Sequence, residues 1–169
     1  MILATHGIVG GAIGYLLPRH PIAAFFLGFA SHFVLDAIPH WHYPVLSEVK
    51  HPEDHMKDSM DIHSPYFPFD LAHIALDALT GAAVVWYFFH PALIIDPASI
   101  SVASGMVGAI LPDVLLFLAW EAHESLLVKL QRFHMWIHSK VDIDDRHVLG
   151  ITTQALFAAL MVWIALMIH

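Results

Sequence analysis

Cysteine is absent from the 169 residues. That excludes disulfides, thiolate zinc sites, iron–sulfur clusters and a cysteine nucleophile. Charge is scarce too, with Asp, Glu, Lys and Arg making up 13% of the chain where a soluble domain carries roughly a quarter. Only seven residues are basic and the formal net charge is -8, which argues against a nucleic-acid footprint. Apolar residues make up 58% and mean hydropathy is +0.67, so disorder, collagen and coiled coil are excluded. Histidine, by contrast, occurs 15 times.

The charge is segmented. Eight of the 22 charged residues fall in residues 48 to 70 and nine in 121 to 146, leaving five for the other 120. Crossing a bilayer takes about 20 apolar residues. Blocks close to that length run from Met1 to Pro18, His20 to Pro39, Asp70 to Phe89, Ala98 to Ala119 and Val148 to His169. The pattern predicts one all-α domain over 1–169: a polytopic membrane helical bundle of about five transmembrane helices plus one amphipathic interfacial helix. The alternative is a soluble helical protein with a large core, but five such blocks leave too little polar surface to cover them. Gly7, Gly10, Gly11 and Gly14 suit the first block to close packing in lipid. It has no basic leading region and His6 interrupts it, so cleavage as a signal peptide is not expected.

Basic residues set the expected orientation. With the N-terminus in the cytoplasm, Lys50, Lys57, Lys129, Arg132, Lys140 and Arg146 all lie on the cytoplasmic side and only Arg19 lies opposite. This predicts a cytoplasmic (inner) membrane protein with its N-terminus inside. The wet segment 40–69 is rich in histidine and acid. In the second, 121–146, Leu126, Leu130, Phe133 and Ile137 recur at helical spacing beside Lys129, Arg132 and Lys140. That reads as a helix in the headgroup plane or an ordinary surface helix docked on the bundle.

His6, His32, Asp36, His73, Asp77 and Asp113 interrupt the apolar blocks, with Asp70 at a block edge. Intramembrane acids and histidines are costly, and they usually face the bundle interior, paired or functional. Alternating helix direction puts all of them at one leaflet. His32-Phe-Val-Leu-Asp36 and His73-Ile-Ala-Leu-Asp77 repeat one His-x-x-x-Asp pattern, and residues four apart share a helix face. Two such faces predict a divalent-cation site with His6, His32, Asp36, His73 and Asp77 as ligands and Asp113, His134 and His138 as second choices. With nitrogen and oxygen donors only, Zn²⁺ is the first choice and Mn²⁺ or Fe²⁺ the alternatives, for one to three ions. Asp70 and His40 are candidates to orient ligands or to act as general base. The plainer reading of each pair is a buried His–Asp hydrogen bond that locks helix packing. His51 and His55, flanking Pro52, read as solvated loop or adventitious metal binding. His20, His90, His123, His147 and His169 mark block ends and receive no role.

At Thr5-His6, at Gly28-Phe-Ala-Ser-His-Phe-Val-Leu-Asp36 and at Leu111-Pro-Asp113, the chain resembles the small bacterial membrane-bound metal-dependent hydrolases. It is more distantly similar to the zinc-dependent phospholipase C group, all-helical enzymes with metals held by His-x-x-x-Asp or His-x-x-x-Glu pairs. The resemblance covers mainly residues 1 to 45 and 105 to 140, with His134 and His138-Ser139 matching the family's later His and His-Ser elements. The chain departs from the pattern after Asp113, where Val114 and Leu115 follow, and between the later histidines, at Met135-Trp136. The resemblance implies a hydrolase of lipid-linked or phosphoester substrates at the cytoplasmic interface. Its partners would be membrane lipid and a small-molecule or lipid substrate, with no nucleic acid. A divalent-metal transporter and a non-catalytic scaffold are the competing expectations. Against transport, the polar groups crowd one leaflet, leaving no polar path across.

Overall fold

The computed structural model describes residues 1–51, 58–91, 96–122, 125–141, 143 and 145–168. His55, His123 and His169 lie outside them. The described residues form six helices: α1 (Leu3–Leu16), α2 (Pro21–Asp36), α3 (Phe67–Phe89), α4 (Pro97–Ala122), α5 (Ser125–Ile137) and α6 (His147–Ile168). An antiparallel pair of two-residue strands lies between α2 and α3, β1 (Glu48–Val49) and β2 (Ser59–Met60), with Glu48 opposite Met60. It was not expected from a segment read as a wet loop.

Three helices, α3, α4 and α6, are long and apolar enough to cross a membrane. The shorter apolar helices α1 and α2 fall below a full span, so the expected count of about five is not established. Large apolar side chains of α3 and α6, among them Leu79, Trp86, Leu160 and Trp163, point outward. A water-soluble bundle would bury that surface.

α1 is the central strut, packing on α2, α3, α4 and α6. The Gly-rich stretch lets it do so. A Cβ on Gly105 of α4 would lie 2.1 Å from the Gly10 carbonyl oxygen, and one on Gly28 of α2 would lie 2.2 Å from the Gly105 oxygen. Neither backbone can retreat, so three helices meet at a distance that only glycine permits. Farther from the polar end, Ile8, Ala12, Val85, Phe89, Val102, Ala158 and Val162 form the apolar core.

The start of α1 is tied down by other elements. The Asp77 carboxylate of α3 accepts from the backbone N–H of Leu3 (2.7 Å) and of Ala4 (3.2 Å), capping a helix to which it does not belong. Gln154 of α6, almost fully buried, accepts from the Ile2 N–H with Oε1 and donates to the Trp41 carbonyl with Nε2. These bonds fix the depth of α1, and so the depth of His6.

Candidate metal centre

Asp36, the last residue of α2, is the hub. Its Oδ2 lies 2.8 Å from His134 Nε2 and 3.0 Å from His32 Nε2. Its Oδ1 lies 2.8 Å from the Met1 ammonium, 3.2 Å from His6 Nε2 and 3.6 Å from His40 Nε2. Asp113 Oδ1 of α4 lies 3.5 Å from His32 Nε2. Within this group His6, His32, Asp36 and His134 are buried, whereas the Asp113 side chain keeps 31% of its surface exposed.

The position of each of these side chains follows from local structure. His32 and Asp36 share one face of α2 because they are four residues apart. The His6 ring stacks on that of His32 at 4.0 Å, placed by the depth of α1. Asp113 follows Pro112, which is fully buried and continues α4 without an N–H to return to Gly108. In that stretch the Ala109 carbonyl accepts a hydrogen bond from His32 Nδ1 at 2.8 Å.

α5 buries two polar side chains on its inner face. Its polar residues Gln131 and His134 are buried while Leu126, Phe133 and Trp136 point outward beside exposed Lys129 and Arg132. Of the apolar stripe legible in the sequence, Leu126 and Phe133 are exposed and Leu130 and Ile137 half-buried, while His134 faces inward. Phe133 meets Phe33 of α2 edge-on at 5.0 Å, and the Ser139 N–H donates to the Asp36 carbonyl, fixing α5 against the end of α2.

The segment after α2 alternates. His40 and His42 turn toward His138 at the end of α5, with ring centroids 4.9 and 5.3 Å away. Trp41 and Tyr43 turn the other way, Trp41 donating to His147 Nδ1 and Tyr43 stacking on His73. Side-chain contacts that alternate with a period of two along residues 40–43 separate the imidazoles from the aromatics.

Hydrogen bonds to backbone carbonyls fix the tautomers. A carbonyl oxygen only accepts, so His32 Nδ1 carries the proton given to Ala109, His40 Nδ1 the one given to Ile38, and His138 Nδ1 the one given to Ser139. In the neutral rings this leaves Nε2 as a lone pair, and it orients the ring in the manner usual for metal-ligating histidines. Burial pushes the His40 imidazole down to about 3, an effect the Met1 ammonium reinforces. Burial likewise holds His138 below the ordinary imidazole range, with Asp36 opposing it. His6 is fully buried, and neither of its nitrogens makes a hydrogen bond among the described residues.

Among the described residues, two groups have donor atoms mutually close enough to hold an ion: His32, Asp36, Asp113 and His134, and separately His40, His42 and His138. His6 adjoins the first through Asp36.

His73 and Asp77, expected as ligands by their spacing, join neither group. His73 is exposed against Tyr43, and Asp77 spends its carboxylate on the first turn of α1. Asp70, expected to orient ligands or act as base, instead accepts from the backbone N–H and the hydroxyl of Ser47, at 2.7 and 2.6 Å. His42, to which the sequence reading of the histidine-rich segment 40–69 assigns no role, joins His40 and His138, and its alternation with Trp41 and Tyr43 is the sequence signal for it.

Comparison with protein-family models, with curated proteins and with solved structures finds no match to this chain.

Proposed function

We propose that the chain is an integral membrane protein of the cytoplasmic membrane with its N-terminus inside, and that it is a metal-dependent hydrolase. In this reading α1 and α2 also lie within the bilayer, giving five membrane helices, and α5 covers the site from the interface. The single observation that carries the reading is the packing of His32, His134, Asp36 and Asp113 around one small volume. His32 Nε2, an acceptor in the neutral ring, there faces carboxylate oxygens at 3.0 and 3.5 Å. A lone pair opposite a carboxylate is repulsive unless a proton or a cation lies between them. A borderline divalent cation, Zn²⁺ before Mn²⁺ or Fe²⁺, suits two imidazoles and two carboxylates.

Such an ion lowers the pKa of a coordinated water and polarises a phosphoryl oxygen. The protein's own groups do the rest. His32 and His134 are oriented by α2, α4 and α5, and Asp36 offsets the positive charge. Asp113 keeps part of its side chain at the surface, so substrate would approach from its side and its carboxylate would accept the proton of the attacking water. The exposed Lys129 and Arg132 favour an anionic lipid-linked or phosphoester substrate.

The test is elemental analysis of detergent-purified protein together with hydrolysis of a panel of phospholipids and lipid-linked phosphates. The reading expects near-stoichiometric divalent metal, lost with activity in His32→Ala and Asp36→Ala. Metal-free wild-type protein that withstands reconstitution would overturn it. Ion flux into vesicles without hydrolysis would favour a transporter instead.

A further inference from the structure

The three imidazoles of His40, His42 and His138 have no part in the four-residue site. His40 Nε2 lies 2.8 Å from His42 Nε2, and the rings of His40 and His42 both face that of His138. All three offer donor atoms within 4.8 Å of one another. They come from two elements, the extended segment after α2 and the end of α5, which the Ser139–Asp36 backbone hydrogen bond holds together. Two of the three rings are oriented from behind by backbone carbonyls, as metal-ligating histidines usually are.

Helix-packing histidines have no need to converge in this way. Two Nε2 atoms 2.8 Å apart satisfy one another with a single shared proton, while His138 offers a ring nitrogen within 4.8 Å of a donor nitrogen of each. Three imidazole nitrogens this close together can supply the protein side of an open tetrahedral site, with the fourth position left for water or an oxygen ligand.

We propose that His40, His42 and His138 hold a second divalent cation, adjacent to the first across the Asp36 carboxylate. This rests on the reading of His32, Asp36, Asp113 and His134 as the first position. The link is His40 Nε2, which faces His42 on one side and, at 3.6 Å, Asp36 Oδ1 on the other. Three neutral imidazoles favour Zn²⁺ among the available divalent ions, and two ions side by side suit an in-line displacement at a phosphoester, one for the attacking and one for the leaving oxygen.

The experiment is equilibrium dialysis of full-length, detergent-solubilised protein against Zn²⁺, followed by elemental analysis and zinc-edge X-ray absorption. Wild type is expected to retain two equivalents with a metal–metal vector of about 3.5–4 Å. His42→Ala/His138→Ala is expected to retain one and to lose the vector, while His32→Ala/Asp113→Ala loses the first ion. His42→Asn, at a half-buried position, tests the same site if the double variant fails to fold. One equivalent in wild type, untouched by the His42 and His138 changes but lost with His32, would overturn the second position and leave the first intact. No zinc in wild type would overturn both.

Discussion

Replacing Asp77 with alanine removes the acceptor for two backbone N–H groups, at 2.7 and 3.2 Å, in the first turn of α1. Loss of a helix N-cap costs about 0.5–2 kcal/mol, and loss of a negative charge from a helix N-terminus adds about 0.3–1 kcal/mol. The Ala4 end of the turn is buried, so water does not fully replace the carboxylate. Asp77→Ala should therefore destabilise the protein by about 2 kcal/mol, a fall of about 4–8 °C in Tm for a chain of this size. Asp77→Asn keeps an oxygen acceptor but not the charge, and should lose about half as much. Metal content should be unchanged in both, because Asp77 lies outside the ligand groups. Thermal unfolding in detergent and elemental analysis, run beside Asp36→Ala, separate the two roles. Loss of metal in Asp77→Ala with an unchanged Tm would refute the capping argument and return Asp77 to the ligand set.

Four further outcomes are expected. His73→Ala should leave bound metal at the wild-type level by elemental analysis, since its ring stacks on Tyr43 away from the cluster. Gly105→Ala should cost about 1–3 kcal/mol or prevent folding, read as Tm or as recovery of folded protein, because its Cβ would overlap the Gly10 carbonyl. Gln154→Ala should cost about 1–3 kcal/mol in thermal unfolding, since it leaves the Ile2 N–H and the Trp41 carbonyl without their partner. Trp136→Phe should lower the fluorescence quenched by brominated lipid by roughly a fifth, as one of five tryptophans, if α5 presents its outer face to the bilayer.

Much of the helical framework was legible in the sequence because apolar blocks bounded by Pro, Asp and His translate directly into α3, α4 and α6. The meeting of His6, His32, Asp36 and Asp113 followed from alternating helix direction, which puts them at one depth. Depth is not azimuth. His32-Asp36 and His73-Asp77 are indistinguishable as strings, yet one pair turns into the bundle while the other serves the end of α1. No local signal separates a carboxylate that caps a neighbouring helix from one aimed at an ion. His134 entered the sequence reading as a second-choice ligand, and its inward direction depends on how α5 docks against α2 and α4. The small β1–β2 pair and the anchoring of Ser47 by Asp70 depend on contacts between loop and helix that no periodicity encodes.

The most direct measurement is zinc-edge X-ray absorption on protein loaded with Zn²⁺, comparing wild type with Asp36→Ala. The account predicts a shell of nitrogen and oxygen at about 2.0–2.1 Å with imidazole scattering and no sulfur, and loss of tightly held zinc when Asp36 is removed. Wild-type protein that holds no zinc, or zinc whose first shell and occupancy do not change in Asp36→Ala, would contradict it.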